Sequence, residues 1–581
     1  FSRVLLFLLY FILSPSPGQR EPFMVVVEDD AAAPVEKKIM FEQSVKAPPP
    51  KYVVQMALCA CVNSALLGYD TGVLSGALLY LRDAMDLSTQ QIEWLTSSMN
   101  YIAIPGCFIA GAIADSIGRT KTLFAASLTF LVGALLMAGA QDYQTLFVGR
   151  SLIGVGVGAG LAIDPLYIAE MSPPEHRGRL TSFSETAINV GILLGYLSNV
   201  AFMWLDSSYN WRVMLAMGAV PPFVMMVLTV FVMPDTPRFY MSKGRTEEAE
   251  AVLTKISRSS QESKQTEADI KRSLAEEEKV SSRDGWMRVL RPDKVISRML
   301  IITLGISLLQ QLSGVDVILY YAPILMEKGG IHDRLAQLGL TALAGLAKVS
   351  VLFIAMHYLD HKSAGRRPLM LISYSSLVFS CTFIAVGFAV GSVWVSVVGI
   401  ILFCGGFSIG AGPITWLMNS EVLPLTVRAR GMTLGCSLNR LASAVLQTTF
   451  LSLTEAITPV GSFMFLAGIN LVGFVFLYIM QPETKNKTLE EMYDYFAKIV
   501  GAPIPKMSQR ASSSDHGRNG SDINLNVRKG GGDSKEGDPE HAEDSEDGIQ
   551  EIGENDPHSQ VEGFGDVDLN DSPKASGQAS I

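Results

Sequence analysis

The sequence predicts an all-α membrane protein, with twelve membrane-spanning helices in two pseudo-symmetric six-helix bundles. Three observations carry this. Apolar stretches of about 20 residues, long enough to cross roughly 30 Å of hydrocarbon as helix, recur along the chain. Only 18% of the 581 residues are charged, against about 25% in soluble domains. Polar motifs of the first half also return in the second in the same order and at a nearly constant offset.

Residues 1–51 precede the first span. FSRVLLFLLYFILSPSPG reads either as a secretory leader or as translated upstream sequence. Met24, followed by an acidic, Pro-containing stretch, reads as a cytoplasmic start, so residues 1–23 are excluded from the fold. The amino-terminal bundle, 52–235, holds spans at 53–81, 93–114, 121–140, 145–169, 180–204 and 212–233. A polar cytoplasmic linker follows at 236–296, in which 245–278 has helical spacing with charge on all sides. The carboxy-terminal bundle, 297–485, holds spans at 297–327, 335–359, 367–390, 393–423, 429–454 and 459–481. Residues 486–581 form a cytoplasmic tail. Within it, residues 501–581 carry 7 Lys/Arg against 17 Asp/Glu, which accounts for the whole net charge of −10. Such a segment reads as disordered, either a solvated tail or a docking site for regulators.

The repeat is legible in three motif pairs. GAIADSIGRTK (111–121) corresponds to LDHKSAGRRP (359–368), SPPEHRGRL (172–180) to VLPLTVRARG (422–431), and MPDTPR (233–238) to QPETKN (481–486). Two six-helix halves of one layout imply a transporter whose site lies between them at mid-membrane. Arg and Lys concentrate in the loops after spans 2, 4, 8 and 10, whereas AQDYQ (140–144) and LDSSYN (205–210) have none. The positive-inside rule then places both termini in the cytoplasm, and a multi-pass plasma-membrane protein is expected.

Cys59, Cys61, Cys107, Cys381, Cys404 and Cys436 all fall in apolar segments and read as small core residues. GVGVGAG (154–160) mimics a phosphate loop, but it lies inside a span with no preceding strand, so close helix packing is expected. No motif suggests a catalytic triad, a metal cluster or a nucleic-acid patch, and no enzyme activity or cofactor is expected. One residue stands out. Asp70 lies inside the first apolar run, where a charge costs at least a few kcal/mol and marks a pathway or a coupling site.

Taken together, Asp115–Gly118–Arg119, PDTPR (234–238), QQLSGVDVILYY (310–321), GPITWLMNSEVLP (412–424) and PETKNKTLEE (482–491) resemble the sugar-porter branch of the major facilitator superfamily, from about Tyr52 to Met492. TSFSETAINVGILLGYLSN (181–199) and FSIGAGPITW (407–416) are most similar to plant-type polyol/monosaccharide proton symporters. The chain departs from the pattern at Asp235–Thr236, at Asp360–Gly365, where the motif is two residues too long, and at Asn439–Arg440.

The resemblance implies roles. Asp70 and Arg150 couple proton binding to sugar binding, with the proton as coupling ion; the alternative is a static ion pair between helices. A hydroxyl-rich substrate, a polyol or monosaccharide, is expected to meet Glu185, Gln310, Gln311, Asp316, Tyr320, Tyr321, Lys348, Trp416 and Asn439. Asp316 and Lys348 appear together where sugar porters often carry amides, which suggests an ion pair, at the substrate or purely structural. Trp416 reads as a stacking face or a bulky core residue. Asp115, Arg119, Glu170, Arg177, Glu421 and Arg428 lie at cytoplasmic span ends, as gating charges across the seam or as topology signals. The functional expectation is proton-coupled import by alternating access. A uniporter of the same fold and a non-transporting sugar sensor are its rivals.

Overall fold

A computed structural model describes residues 48–501, apart from 174–175, 280–281, 360–364, 486 and 488. The leading segment, most of the acidic tail and Asp360 therefore lie outside the described residues. Among the described residues, ten helices are long and apolar enough to cross a membrane. In order, the first five predicted spans are Lys51–Met85, Thr89–Ile117, Arg119–Gly139, Tyr143–Met171 and Arg177–Phe202. The fifth is 26 residues long, but its Ser, Thr, Glu and Asn residues dilute the hydropathy that would mark it. The sixth is made of Asn210–Met217 and Val220–Phe231, and the seventh of Lys294–Leu312 and Val315–Lys328. Arg334–Leu359 and Arg366–Val390 follow as the eighth and ninth, and the tenth is split into Val393–Ile409 and Pro413–Val422.

The last two predicted spans run together as Leu425–Met480, with a break at Ile457 and Thr458. Pro459 explains the break, because a proline disfavours helical backbone in the residue before it; Thr458 has φ 68°. Read as two rods, this helix brings the number of long helices to the twelve that the sequence predicts. Gly314, at φ 95° and ψ 13°, breaks the seventh span. Only glycine takes that left-handed conformation without steric cost.

Each half packs through its own helices. The first span lies against the fifth and the fourth against the second and third; the ninth lies against the tenth and the eleventh–twelfth rod, and the eighth against the tenth. The halves meet along three seams: the second span on Leu425–Met480, the fifth on the eighth, and the first on Val315–Lys328. GVGVGAG is a packing surface. A Cβ on Gly154 would stand 2.7 Å from Met99 O, on Gly156 2.6 Å from Ala126 O, and on Gly158 2.3 Å from Ala103 O. Between membrane helices such close backbone approach replaces the hydrophobic drive that lipid cannot supply.

The sequence repeat recurs in the polar contacts. In the first half Arg119 binds Glu170 at 3.1 Å, Thr236 donates to Glu170 at 2.5 Å, and Asp235 accepts from the Arg119 backbone N–H at 2.7 Å. In the second, Arg366 binds Glu421 at 3.2 Å, Thr484 donates to Glu421 at 2.5 Å, and Glu483 accepts from the Arg366 N–H at 2.9 Å. Asp235 and Glu483 thus satisfy the first N–H groups of the third and ninth spans, where a helix has orphan donors and positive potential.

The linker departs from the expectation of charge on all sides. Within it, Thr246–Ile256 buries Ala249, Val252, Leu253 and Ile256, whose spacing of three, four and seven is one helical stripe. Val252, Leu253 and Ile256 join Val53, Tyr167 and Phe183 in a core of the first half.

Candidate functional site

Asp70 on the first span and Arg150 on the fourth meet inside the bundle. Asp70 is 5% exposed and Arg150 0%, and Arg150 Nη1 donates to Asp70 Oδ2. A buried pair is sustained only when its remaining groups are hydrogen-bonded. Arg150 Nη2 meets part of that need by donating to Tyr320 Oη at 2.9 Å, while Nε has no hydrogen-bond partner, and Tyr320 donates to Thr71 Oγ1 at 3.2 Å. Tyr320 belongs to the seventh span, so the charge pair of one half is tied to the other. Tyr321 is a second tie, within 2.6 Å of Thr96 Oγ1 and donating to Gln447 O at 3.0 Å. Both tyrosines are fully buried.

The break in the seventh span organises a second cluster. Gln310 Nε2 donates to Ala411 O at 2.9 Å and to Gly412 O at 3.1 Å, two carbonyls at the break in the tenth span. Gln310 Oε1 accepts from Asn439 Nδ2 at 2.8 Å. Asn439 Oδ1 in turn accepts from Arg440 Nη2 at 2.6 Å, and Arg440 Nη1 donates to Asn100 Oδ1 of the other half at 3.2 Å. Gln311, with its amide turned to suit both neighbours, donates to Asp316 Oδ2 at 3.2 Å and accepts from Arg440 Nη2 at 2.6 Å. Asp316 opens the helix after Gly314, where the helix dipole favours an anion; it also accepts from Ser443, and from Gln447 at 3.3 Å.

Here the structure corrects one expectation. No ion pair joins Asp316 to Lys348. Asp316 is held by Ser443, Gln447 and Gln311, while Lys348 is 3% exposed and its ammonium lies 5.4 Å from the centre of the Phe407 ring. Lys348 makes no hydrogen bond or ion pair among the described residues, and Glu185 is the leading negative charge that acts on it. Glu185 accepts from Asn189 Nδ2 at 3.1 Å through one oxygen, which leaves the other oxygen open. Glu185, Asp316 and Trp416 are half-buried, so this polar group borders accessible space.

The charges at the other ends divide in a way the sequence does not announce. Arg119–Glu170 and Arg366–Glu421 each stay inside one half, and Asp115, 3.2 Å from Arg119, does too. Glu170 and Glu421 spend their oxygens on their own half, as cages that fix span ends. Arg177 Nε and Arg428 Nε donate to the backbone of Ala169 and Leu423. Ion pairs across the seam occur at the opposite end of the bundle. There Arg82 binds Glu327 at 3.0 Å and Arg334 binds Asp83 at 2.7 Å, while Ser452 donates to Glu93 through its N–H at 2.8 Å and its hydroxyl at 2.5 Å. LRDAM (81–85) and EKGGIHDR (327–334) carry the signal, paired charges flanking two spans that touch.

Comparison with known proteins matches this arrangement. The sugar (and other) transporter family matches residues 56–496. Probable polyol transporter 4 of Arabidopsis thaliana is 38% identical over 448 residues, covering 76% of this chain and 84% of the relative. Polyol transporter 5 of the same plant is 37% identical over 492 residues, covering 80% of this chain and 91% of the relative. The arabinose-proton symporter of Escherichia coli K12 is 31% identical over 450 residues, 75% of this chain and 92% of the relative. Among solved structures, the major facilitator proton:xylose symporter XylE, from E. coli, matches with a TM-score of 0.66 and 25% identity, covering 77% of this chain and 99% of that one. The chain therefore belongs to the sugar (and other) transporter family, as a sugar porter of the plant polyol type.

Proposed function

We propose that the chain is a proton-coupled symporter that imports a polyol or monosaccharide by alternating access, with the proton as its coupling ion and no cofactor. It sits in the plasma membrane with both termini cytoplasmic. The observation that carries the reading is the buried Asp70–Arg150 pair, bonded to Tyr320 of the other half. Pairing with Arg favours the charged carboxylate, while removal from water favours the neutral acid. Rocking that lengthens the pair therefore loads a proton, and rocking that restores it releases one. With the termini inside, the end bridged by Arg82–Glu327 and Arg334–Asp83 faces outward.

Substrate-induced alkalinisation of the medium by expressing cells tests the coupling; a uniporter would take up substrate without it. Uptake retained after deletion of residues 499–581 would count against a sensor worked by the tail. Competition by sorbitol, mannitol, inositol, xylose and glucose orders the substrates. Lys348 gives a sharper test. We read its ammonium as a donor, and the open oxygen of Glu185 from the opposite half as an acceptor, for substrate hydroxyls. Lys348→Met removes a charged hydrogen bond of about 1.5–3 kcal/mol, so KM rises roughly tenfold to a hundredfold. The substrate-free protein should melt no lower, because an unpaired buried ammonium is itself costly. An unchanged KM would remove Lys348 from the site.

A further inference from the structure

The fourth span holds a second acid that the coupling pair does not use. Asp164 is 1% exposed and lies 14 residues from Arg150, about 21 Å along the helix. Among the described residues no Lys, Arg or His forms an ion pair with it. Its neighbours are neutral. Ser64 of the first span donates to Asp164 Oδ2, Ser184 of the fifth span faces the same carboxyl, and Cys61 of the first span lies beside them. Asp164 Oδ1 and Ser184 Oγ are both buried without a hydrogen-bond partner. Pro165 follows at once, so the carbonyl of Leu161 lacks its usual N–H donor.

We propose that Asp164 is a second proton-binding site of this transporter, a carboxylic acid that carries its proton while the first, fourth and fifth spans are packed as here and exchanges it when they part. An isolated carboxylate taken out of water costs more than proton uptake at neutral pH. Asp164 Oδ1 has no donor of its own in this packing, and a proton there makes the buried carboxyl neutral. Ser184 is buried, while Glu185 beside it is half-buried and borders the polar cluster. The site does not require Asp70 to be the coupling acid.

Infrared spectroscopy of the purified protein tests the proposal directly. Wild type is expected to show, at neutral pH, the carbonyl stretch of a protonated carboxylic acid that Asp164→Asn lacks and Asp70→Asn keeps. Substrate counterflow, measured in the D70N background so that Asp70 no longer titrates, is expected to fall about tenfold per pH unit once Asp164 loses its proton. The D70N/D164N protein should lack that fall. A wild-type spectrum indistinguishable from that of D164N, or identical pH profiles in D70N and D70N/D164N, would overturn it. If D164N does not accumulate, Ser64→Ala decides: loss of the serine donor should move the same infrared band, and an unmoved band would refute the site. Failure of the symport reading itself would show separately, as substrate uptake without alkalinisation.

Discussion

Asp70→Asn is expected to abolish uphill accumulation while leaving downhill exchange. One proton moving through about 100 mV supplies about 2.3 kcal/mol, enough for roughly a 40-fold gradient. Asn keeps the size of the side chain and a hydrogen-bonding oxygen for Arg150 but binds no proton at physiological pH, so the accumulation ratio should fall to about one. Arg150 is then buried without its counter-charge, held by neutral partners alone, the Asn oxygen and Tyr320. Removing one member of such a pair costs about 3–5 kcal/mol, so rates are compared per folded molecule. Labelled-substrate accumulation measures the loss, and counterflow measures the exchange that remains. Accumulation at the wild-type level would leave Asp70–Arg150 as a bolt between helices.

The second large effect concerns Gln310, and it is one of stability. Its amide nitrogen serves both Ala411 O and Gly412 O, and its oxygen serves Asn439. Gln310→Ala removes three buried hydrogen bonds; Ala411 O keeps Thr415 and Asn439 Nδ2 keeps Ser307 O, so the expected loss is about 1–3 kcal/mol in the substrate-free protein. Gln310→Glu is worse, because a carboxylate would face two carbonyl oxygens. Thermal unfolding of purified, substrate-free protein checks this. Both variants should melt lower than wild type, with Glu the lower of the two. A glutamine that merely touches substrate would leave that temperature unchanged.

The legible parts of the fold are those that depend on one residue's own chemistry or on local periodicity. Span lengths, the Pro459 break and the glycine run in the fourth span could be read because hydrophobic length, proline sterics and small side chains act locally. Asp70 could be read as a site because it is an isolated charge in an apolar run, and its pairing with Arg150 followed from the family resemblance. The Asp316–Lys348 pair could not, since which cation an acid meets depends on helix rotation and on the break at Gly314. Ser443 and Gln447, one turn apart on the eleventh span, take Asp316 instead. Arg440 registered only as a departure from pattern, although it links Asn100, Asn439 and Gln311 across the seam. Asp164 was missed because DP within a span looks like a helix bend and nothing more.

The bridge of Arg82, Asp83, Glu327 and Arg334 sits near the surface, with side chains 25–52% exposed. Ions reach such a bridge, and at about 0.15 M they damp fields beyond roughly 8 Å. In the proposed orientation, whatever holds that end shut lowers the fraction of carriers presenting an empty site to the medium, and apparent affinity weakens in proportion. Dilute surroundings would therefore make this carrier hold its cargo more weakly than brackish ones, with no change in any residue that touches the cargo.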